Sequence, residues 1–214
     1  MKLIIKTYQL IAFICKLNIL KTIYYSLRFG GRVFVGKAKI YIEGNGEIAF
    51  TTSKSSIMIG VYTTVATPTV ITLMNNAKLI VGHSVKINRG SKIVVHDNGI
   101  LKIDDNTYFN ENARVHCRKM ISIGKNCAIA WNTNILDTDI HTIQYSKDKS
   151  NVDRNIQIGN SVWVGANSTI LKGSTIEDNC IIGANSLVKG YLKSNNIYGG
   201  NPCQKTNTFE SWSI

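Results

Sequence analysis

The sequence is short of prolines, acidic residues and paired cysteines, and each scarcity excludes a class of protein. Two prolines in 214 residues exclude Pro-rich linkers, so one domain with a short appendage is expected. The five cysteines form no C-x-x-C pair, which argues against a disulfide framework or a cysteine zinc site and predicts free thiols. Neither G-x-x-x-x-G-K-S/T nor G-x-G-x-x-G occurs, so a phosphate-cradling nucleotide site has no support.

Acidic residues are scarcest at the start of the chain. The 25 Lys and Arg residues outnumber 13 Asp and Glu residues, for a net charge of +12, and residues 1–42 carry eight basic residues and no acid. Lys6, Lys16 and Lys21 interrupt the apolar stretch before it reaches the ~18 residues that a membrane-spanning helix needs. We predict one helix over residues 2–28, within a basic amphipathic cap at residues 1–30. That helix either docks onto its own protein or lies on an anionic membrane surface.

A six-residue period begins at residue 158 and predicts a solenoid. Mostly small residues recur four positions after the members of an aliphatic series. This series consists of Ile158, Val164, Ile170, Ile176, Ile182 and Val188. A period of six fits neither a helix nor simple alternation, but it is typical of the short strands of a parallel β-helix. Cys127 and Cys180 occupy the small inward position of their hexads, so we predict that both are core thiols.

The period continues upstream with interruptions. Residues 123–135 keep it, whereas segments 94–102 and 116–122 do not and are expected to bulge. Parts of residues 33–75 are expected to form irregular first coils. The β-helix domain is therefore predicted to cover residues 31–202, followed by a C-terminal tail at 203–214.

The sharpest break in the period is a polar stretch that predicts an extruded loop around residues 137–156. His141 lies in this stretch among carboxylates and has the chemistry of a general base near neutral pH. Asp137 or Asp139 would orient its ring or raise its basicity. A solvated histidine on a surface loop is the alternative interpretation.

Three segments, residues 156–176, 182–189 and 199–203, resemble the hexapeptide-repeat acetyltransferases. The resemblance is specific over residues 100–205 and weaker over 75–100. It points to the branch that contains maltose and galactoside acetyltransferases and the O-acetyltransferases of bacterial surface polysaccharides. It implies an all-β fold, a left-handed parallel β-helix, that assembles as a homotrimer.

The resemblance also implies roles for individual residues. His141, supported by Asp139, would take the proton from a sugar hydroxyl as that oxygen attacks the thioester of acetyl-CoA. Asn110 matches an asparagine that donates a hydrogen bond to the resulting oxyanion. The residues implied at the acyl-donor site are Trp163, Gly165, Ala166 and Ala184.

The sequence departs from the family pattern at three places. A common Thr-Lys pair reads Lys189-Gly190, and a basic residue common after the Gly-x-Pro turn reads Gln204, with Lys205 beside it. Lys189 and Lys205 therefore remain candidates to bind the phosphates of CoA, each displaced by one position. An acidic residue of the simple-sugar enzymes aligns near Arg118, which favours a larger or anionic saccharide over a free galactoside or maltose.

The predicted function is an acetyl-CoA-dependent O-acetyltransferase of a bacterial surface polysaccharide, such as O-antigen or capsule, or of its precursor. Acetyl-CoA would be a co-substrate, and no metal is expected, because the four histidines lack the spacing of the zinc site found in carbonic anhydrases of this fold. An N-acetyltransferase of an amino sugar and a non-catalytic glycan-binding solenoid are the alternatives. Nucleic acid is not an expected partner, because the basic residues lie mostly outside the repeat. We expect a cytoplasmic location and leave open peripheral membrane contact through the N-terminal helix.

Overall fold

The structure, a computed structural model, describes residues 2–61, 67–141, 143 and 152–213. Two helices come first, and the strands that follow form a three-sided parallel β-helix. The helices are α1 (Lys2–Lys16) and α2 (Ile19–Phe29). Within the described residues, no helix is long and apolar enough to cross a membrane.

Successive strands lie on three faces in turn, so that each face is one sheet. Face 1 contains β1 (Arg32–Val35), β4 (Ser56–Ile59), β7 (Val85–Ile87), β10 (Tyr108–Phe109), β13 (Ala128–Ile129), β16 (Trp163–Val164), β19 (Ile181–Ile182), β22 (Asn196–Gly199) and β23 (Gln204–Thr208). Face 2 contains β2 (Ile40–Gly44), β5 (Thr69–Leu73), β8 (Lys92–Val95), β11 (Arg114–Cys117), β14 (Asn134–Leu136), β17 (Thr169–Leu171) and β20 (Leu187–Val188). Face 3 contains β3 (Glu47–Phe50), β6 (Lys78–Val81), β9 (Ile100–Ile103), β12 (Met120–Ile123), β15 (Ile156–Ile158), β18 (Thr175–Ile176) and β21 (Tyr191–Leu192). We call the edges between faces 1 and 2, 2 and 3, and 3 and 1 corners A, B and C.

The aliphatic residues of the six-residue period point into one continuous core. The six members from Ile158 to Val188 are at most 3% exposed. Ser168 and Ser186 beside them are also buried, and their hydroxyls donate to the Gly183 carbonyl at 3.0 and 2.7 Å. A buried hydroxyl is costly unless it is hydrogen-bonded, so serine fits this position because a carbonyl lies within reach. The predicted all-β solenoid with helical structure at its N-terminus is confirmed.

Coil length varies along the solenoid, which explains where the period is visible. Paired residues are 18 positions apart at Val164 and Ile182, but 20 apart at Val115 and Ile135. The spacing is 22 between Ile93 and Val115. Only the coils of 18 residues repeat as three hexads, so the sequence period is clean only near the C-terminal end.

The expected bulges and irregular first coils are wrong. β8 pairs with β11, and β9 with β12, residue by residue, and the unpaired residues between them only lengthen corner B. The first coils are also in register: β1 pairs with β4, β2 with β5 and β3 with β6 without a shift. The strands that the structure describes within segments 94–102, 116–122 and 33–75 are therefore paired in register, although insertions at the corners disrupt the sequence period.

Asparagine makes many of the corner turns. At corner A, four asparagines have φ of 58–59°, a left-handed conformation that Asn tolerates better than most residues. They are Asn112, Asn132, Asn167 and Asn185. Their side chains also connect neighbouring coils: Nδ2 of Asn132 donates to Oδ1 of Asn167 at 3.1 Å. Asparagine therefore suits these turns for two reasons: it tolerates the left-handed conformation, and its side chain hydrogen-bonds to the next coil.

The predicted single helix over residues 2–28 is wrong, because the chain breaks between α1 and α2. Leu17 is buried and forms an isolated bridge with Gly36, and the Asn18 amide donates to the Val35 carbonyl at 2.7 Å. The Asn18 side chain then accepts from the Lys21 amide and caps α2. Pairing with the end of β1 therefore interrupts the helix, and an N-cap restarts it.

Helix α2 covers the open edge of the first coil with its polar residues. The Ser26 hydroxyl accepts from the Val33 amide and donates to the Val33 carbonyl, at 3.1 and 3.2 Å. The Thr22 hydroxyl accepts from the amide of Val35 at 3.0 Å, and Lys21 Nζ donates to the Ile40 carbonyl at 2.9 Å. These bonds replace the missing strand neighbour, as an edge strand requires. The assignment of residues 1–30 as a separate capping unit remains a prediction.

Burial separates the thiols into two chemical groups, and we expect labelling to show it. Burial raises the pKa of Cys127 and Cys180 to about 11 and also raises that of Cys117, whereas Cys15 is exposed. Because the thiolate is the reactive form, iodoacetamide should modify Cys15 in the native protein and the three buried thiols only in urea. Intact-mass spectrometry with peptide mapping measures both states. Rapid labelling of Cys127 in the native protein would contradict the assignment of a core thiol.

Candidate active site

A cavity of about 650 Å³ opens on face 1 next to corner A. Five residues predicted for the acyl-donor and oxyanion sites lie together in its lining: Asn110, Trp163, Gly165, Ala166 and Ala184. The cavity spans the coils of β10, β13, β16 and β19, so residues far apart in sequence meet through parallel pairing. The structure thus brings these five predicted residues to one groove.

Small residues line the groove where face 1 turns into corner A. After β16 come Gly165 and Ala166, and after β19 come Gly183 and Ala184. A Cβ on Gly165 would lie 2.6 Å from the amide nitrogen of Ala184, so any larger residue would displace backbone. The small residues leave an apolar channel, whereas Trp163 forms a wall and is 44% exposed. Such a channel suits a thin, largely uncharged chain better than a compact charged ligand.

Asn110 presents a defined hydrogen-bond donor in this groove. Its amide nitrogen donates to the Ile129 carbonyl at 2.8 Å, which fixes the backbone at the end of β10. Its side-chain Oδ1 accepts from Nδ2 of Asn88 at 3.2 Å. With Oδ1 engaged, Nδ2 of Asn110 is the atom that this arrangement offers to a ligand. This is the group that the predicted oxyanion role requires.

Trp212 is a cavity residue that sequence reasoning placed only in the C-terminal tail. Its Nε1 donates to the Ser161 carbonyl at 2.7 Å, and its ring centroid lies 6.1 Å from that of Trp163. Trp131 and Tyr108 also line the cavity without having been predicted, and burial raises the pKa of Tyr108. The only sequence signal for Trp212 was an aromatic residue in a polar tail, which does not indicate how far the tail folds back.

His141 lies at corner B on a strained turn that several hydrogen bonds hold in place. Its amide donates to the Asp139 carbonyl at 2.7 Å, which closes a three-residue turn around Ile140 at φ +64°. This conformation is unusual for a β-branched residue and persists only where the surroundings enforce it. Here Arg118 Nη1 donates to the Ile140 carbonyl, and the Thr138 hydroxyl accepts from the Ile140 amide. The fold therefore holds the exposed His141 in one backbone position.

The two carboxylates before His141 have different environments. Asp137 is fully buried, and its oxygens accept from the amides of Arg118 and Lys119 at 2.7 and 2.8 Å. Burial raises the pKa of Asp137, and these backbone hydrogen bonds act in the opposite direction. Asp139 accepts from Nζ of Lys172 at 2.5 Å and is the more exposed of the two. Asp137 thus anchors the turn, whereas the predicted supporting role of Asp139 is still a prediction.

The predicted residues divide between two edges of the solenoid. His141, Asp139 and Lys189 belong to corner B, across face 2 from the groove at corner A. Face 2 is three residues wide at β14, roughly 10 Å at ~3.3 Å per residue. Lys205 lies on β23, at the end of face 1, and is exposed. His141, Lys189 and Lys205 are not among the residues that line the cavity.

The comparisons with known proteins agree with the fold and the enzyme class. Residues 155–190 match the family model described as bacterial transferase hexapeptide (six repeats). A protein of Escherichia coli named as a lipopolysaccharide biosynthesis O-acetyl transferase is 25% identical over 142 residues, 62% of this chain and 72% of that protein. A polysialic acid O-acetyltransferase of Neisseria meningitidis is 37% identical over 103 residues, 46% of this chain and 47% of that protein. The chain thus spans less than half the length of the second relative.

A solved structure supports the same architecture. The crystal structure of a polySia-specific acetyltransferase superposes with a TM-score of 0.64 at 22% identity, covering 84% of this chain and 74% of the other. This superposition confirms the predicted left-handed β-helix. The family model and the curated relatives confirm the predicted resemblance to hexapeptide-repeat acetyltransferases and the class of acyltransferase enzyme.

Proposed function

We propose that the chain is an acetyl-CoA-dependent O-acetyltransferase that modifies a sugar hydroxyl of a bacterial surface polysaccharide or its precursor. The observation that carries the proposal is the groove at corner A, where an apolar lining includes the oriented amide of Asn110. The pantetheine arm of acetyl-CoA would lie along Gly165, Ala166 and Ala184, with Trp163 against it. The names of the relatives support polysaccharide O-acetylation as the activity.

The proposed chemistry is one acyl transfer. His141 removes the proton from the acceptor hydroxyl as that oxygen bonds to the thioester carbonyl carbon. The carbonyl oxygen becomes an oxyanion and accepts a hydrogen bond from Nδ2 of Asn110. The carbon–sulfur bond then breaks, and the proton held by His141 passes to the leaving thiolate. Acetylated sugar and CoA leave, so atoms and charge balance without a metal.

The two halves of this site meet between neighbouring copies of the chain. Within one chain, the width of face 2 separates His141 from the groove. In a homotrimer, corner B of one copy would face corner A of the next, because a cyclic assembly repeats one heterologous contact. Each trimer would then contain three complete sites. Arg118 contacts the Ile140 carbonyl and Asp153, so the turn that carries His141 also places a guanidinium near the acceptor, as an anionic saccharide would require.

Turnover with a panel of acceptors tests the proposal. Release of CoA thiol from acetyl-CoA should depend on a hydroxyl-bearing oligosaccharide, with polysialic acid and O-antigen fragments as the first candidates. Mass spectrometry should locate an acetyl ester that mild alkali removes. An alkali-stable amide on an amino sugar would instead favour the N-acetyltransferase alternative. A protein that gains no thermal stability from acetyl-CoA would refute the proposal and favour a glycan-binding solenoid.

A further inference from the structure

The N-terminal helices carry many apolar residues on the outside. In α2, Leu20 is 81% exposed and Leu27 78%, and Ile23 and Tyr24 between them are more than half exposed. These four residues follow the i, i+3, i+4, i+7 spacing of one helical stripe. We call them the α2 stripe. In most surface helices such a stripe faces the core of the same protein.

The α2 stripe is outside because the opposite face of the helix, which carries Thr22, Ser26 and the buried Tyr25, docks on the solenoid. Thr22 and Ser26 hydrogen-bond to β1, and Lys21 and Arg28 donate to carbonyls of β2. The orientation of the helix is therefore set by directional bonds to strand edges together with the packing of Tyr25 in the core. Helix α1 also exposes apolar residues, since Leu10, Ile11 and Ile14 are 45–58% exposed.

The segment that carries this surface has charges of one sign. Residues 1–42 contain eight basic residues and no acid, and Lys6, Arg32, Lys37 and Lys39 are exposed. Two copies of the chain meeting through this surface would bring like charges together, which disfavours self-association there. An anionic partner that also accepts apolar side chains fits both features.

We propose that the α2 stripe and the exposed part of α1 bind the surface of an anionic lipid bilayer. The apolar side chains would enter the boundary between headgroups and acyl chains, while the basic residues contact the headgroups. The helices lie in the membrane plane in this arrangement, which agrees with the absence, among the described residues, of any helix able to span a bilayer. The proposal does not depend on the proposed enzymatic function.

Co-sedimentation with lipid vesicles tests this surface. The full chain should bind vesicles of phosphatidylcholine containing 30% phosphatidylglycerol at least about tenfold more tightly than pure phosphatidylcholine, because each Lys or Arg near the surface contributes about fivefold. Binding should weaken as salt rises. Equal partition between the two vesicle types, or binding to neither, would overturn the proposal.

Paired variants test whether vesicle binding depends on the α2 stripe or on nonspecific hydrophobic adsorption. Leu20→Gln with Leu27→Gln should weaken binding to anionic vesicles at least about tenfold, since burial of two leucines is lost, while Gln keeps helix propensity. Met74→Gln, which changes an exposed apolar side chain on the solenoid, should bind like the wild type. Light scattering on the double variant tests whether the stripe is instead an interface between copies of the chain. If the variant changes the oligomeric state, the stripe is an interface between copies, and the proposal is wrong.

Discussion

His141→Ala should reduce the rate of acetyl transfer about 10²- to 10⁴-fold, the range for loss of a general base. The side chain is exposed and the turn is held by backbone bonds and by Arg118, so the free energy of unfolding should change by less than about 0.5 kcal/mol. Thiol release at saturating acetyl-CoA and acceptor measures the rate, and thermal unfolding checks the fold. A variant that is stable but turns over like the wild type would eliminate His141 as the base.

Two further measurements make this result specific. His83→Ala changes another exposed histidine, whose Nδ1 is bonded to the Lys54 carbonyl at corner C, and should leave turnover intact. In His141→Ala the residual rate should keep rising with pH, because only ionised acceptor hydroxyl remains as nucleophile. The wild-type rate should depend less on pH, because the base generates the nucleophile from the neutral hydroxyl. Parallel pH profiles would indicate that His141 acts in structure and not in proton transfer.

Asn110→Ala should lower kcat about 10²- to 10³-fold and leave the KM for acetyl-CoA nearly unchanged, because an oxyanion donor acts only in the transition state. Asn110→Asp should be at least as impaired, since an ionised carboxylate cannot donate to an oxyanion. Steady-state kinetics separates the two parameters. An increase in KM alone would show that Asn110 binds the ground state of the donor.

Asn88 provides a graded control for Asn110. It donates to Oδ1 of Asn110 but is not among the residues that line the cavity, so Asn88→Ala removes only the orientation of the amide. Its effect on kcat should be smaller than that of Asn110→Ala and absent in an Asn110→Ala background. Additive losses in the double variant would mean that Asn88 acts independently.

Mixing the two inactive variants tests whether neighbouring copies share a site. If His141 of one copy serves the groove of the next, trimers assembled at random from His141→Ala and Asn110→Ala chains regain intact sites. About a quarter of all sites would then pair an intact His141 with an intact Asn110 in a cyclic trimer. Co-refolded or co-expressed mixtures should therefore show about a quarter of wild-type activity. No recovery in mixed trimers would place both residues in the same site of one chain.

Sequence periodicity predicted the solenoid in the coils that are 18 residues long. Between Ile158 and Val188 a coil is 18 residues, so inward positions fall into three equal hexads. Between Val33 and Ile57 the spacing is 24, and the extra residues lie at corners, where hydrophobic pattern carries no information. Register there depends on hydrogen bonds between strands that are far apart in sequence. The break between α1 and α2 has the same origin, since Leu17 and Asn18 leave the helix to pair with the end of β1.

Individual residues of the candidate site could be predicted from the sequence, but their positions relative to one another could not. Asn110, Trp163 and Ala184 could be proposed from resemblance, and parallel pairing brings them into one groove. The strain at Ile140 and the return of Trp212 depend on tertiary contacts that no local pattern records. Nor does a one-chain pattern reveal that His141 and the groove occupy different corners. Lys189 and Lys205 remain predictions for the phosphates of CoA.

Both ends of the stack of coils are closed by elements that run against its repeat. At one end α2 satisfies the amides and carbonyls of β1, and at the other β23 pairs antiparallel with β22 and exposes five polar residues, Gln204 to Thr208. Without them, the last coil of one molecule would offer the first coil of another a matching parallel edge, a contact that does not close. Molecules would then add end to end and form a filament. We therefore expect the reversed strand and helix α2 to prevent end-to-end growth of the solenoid.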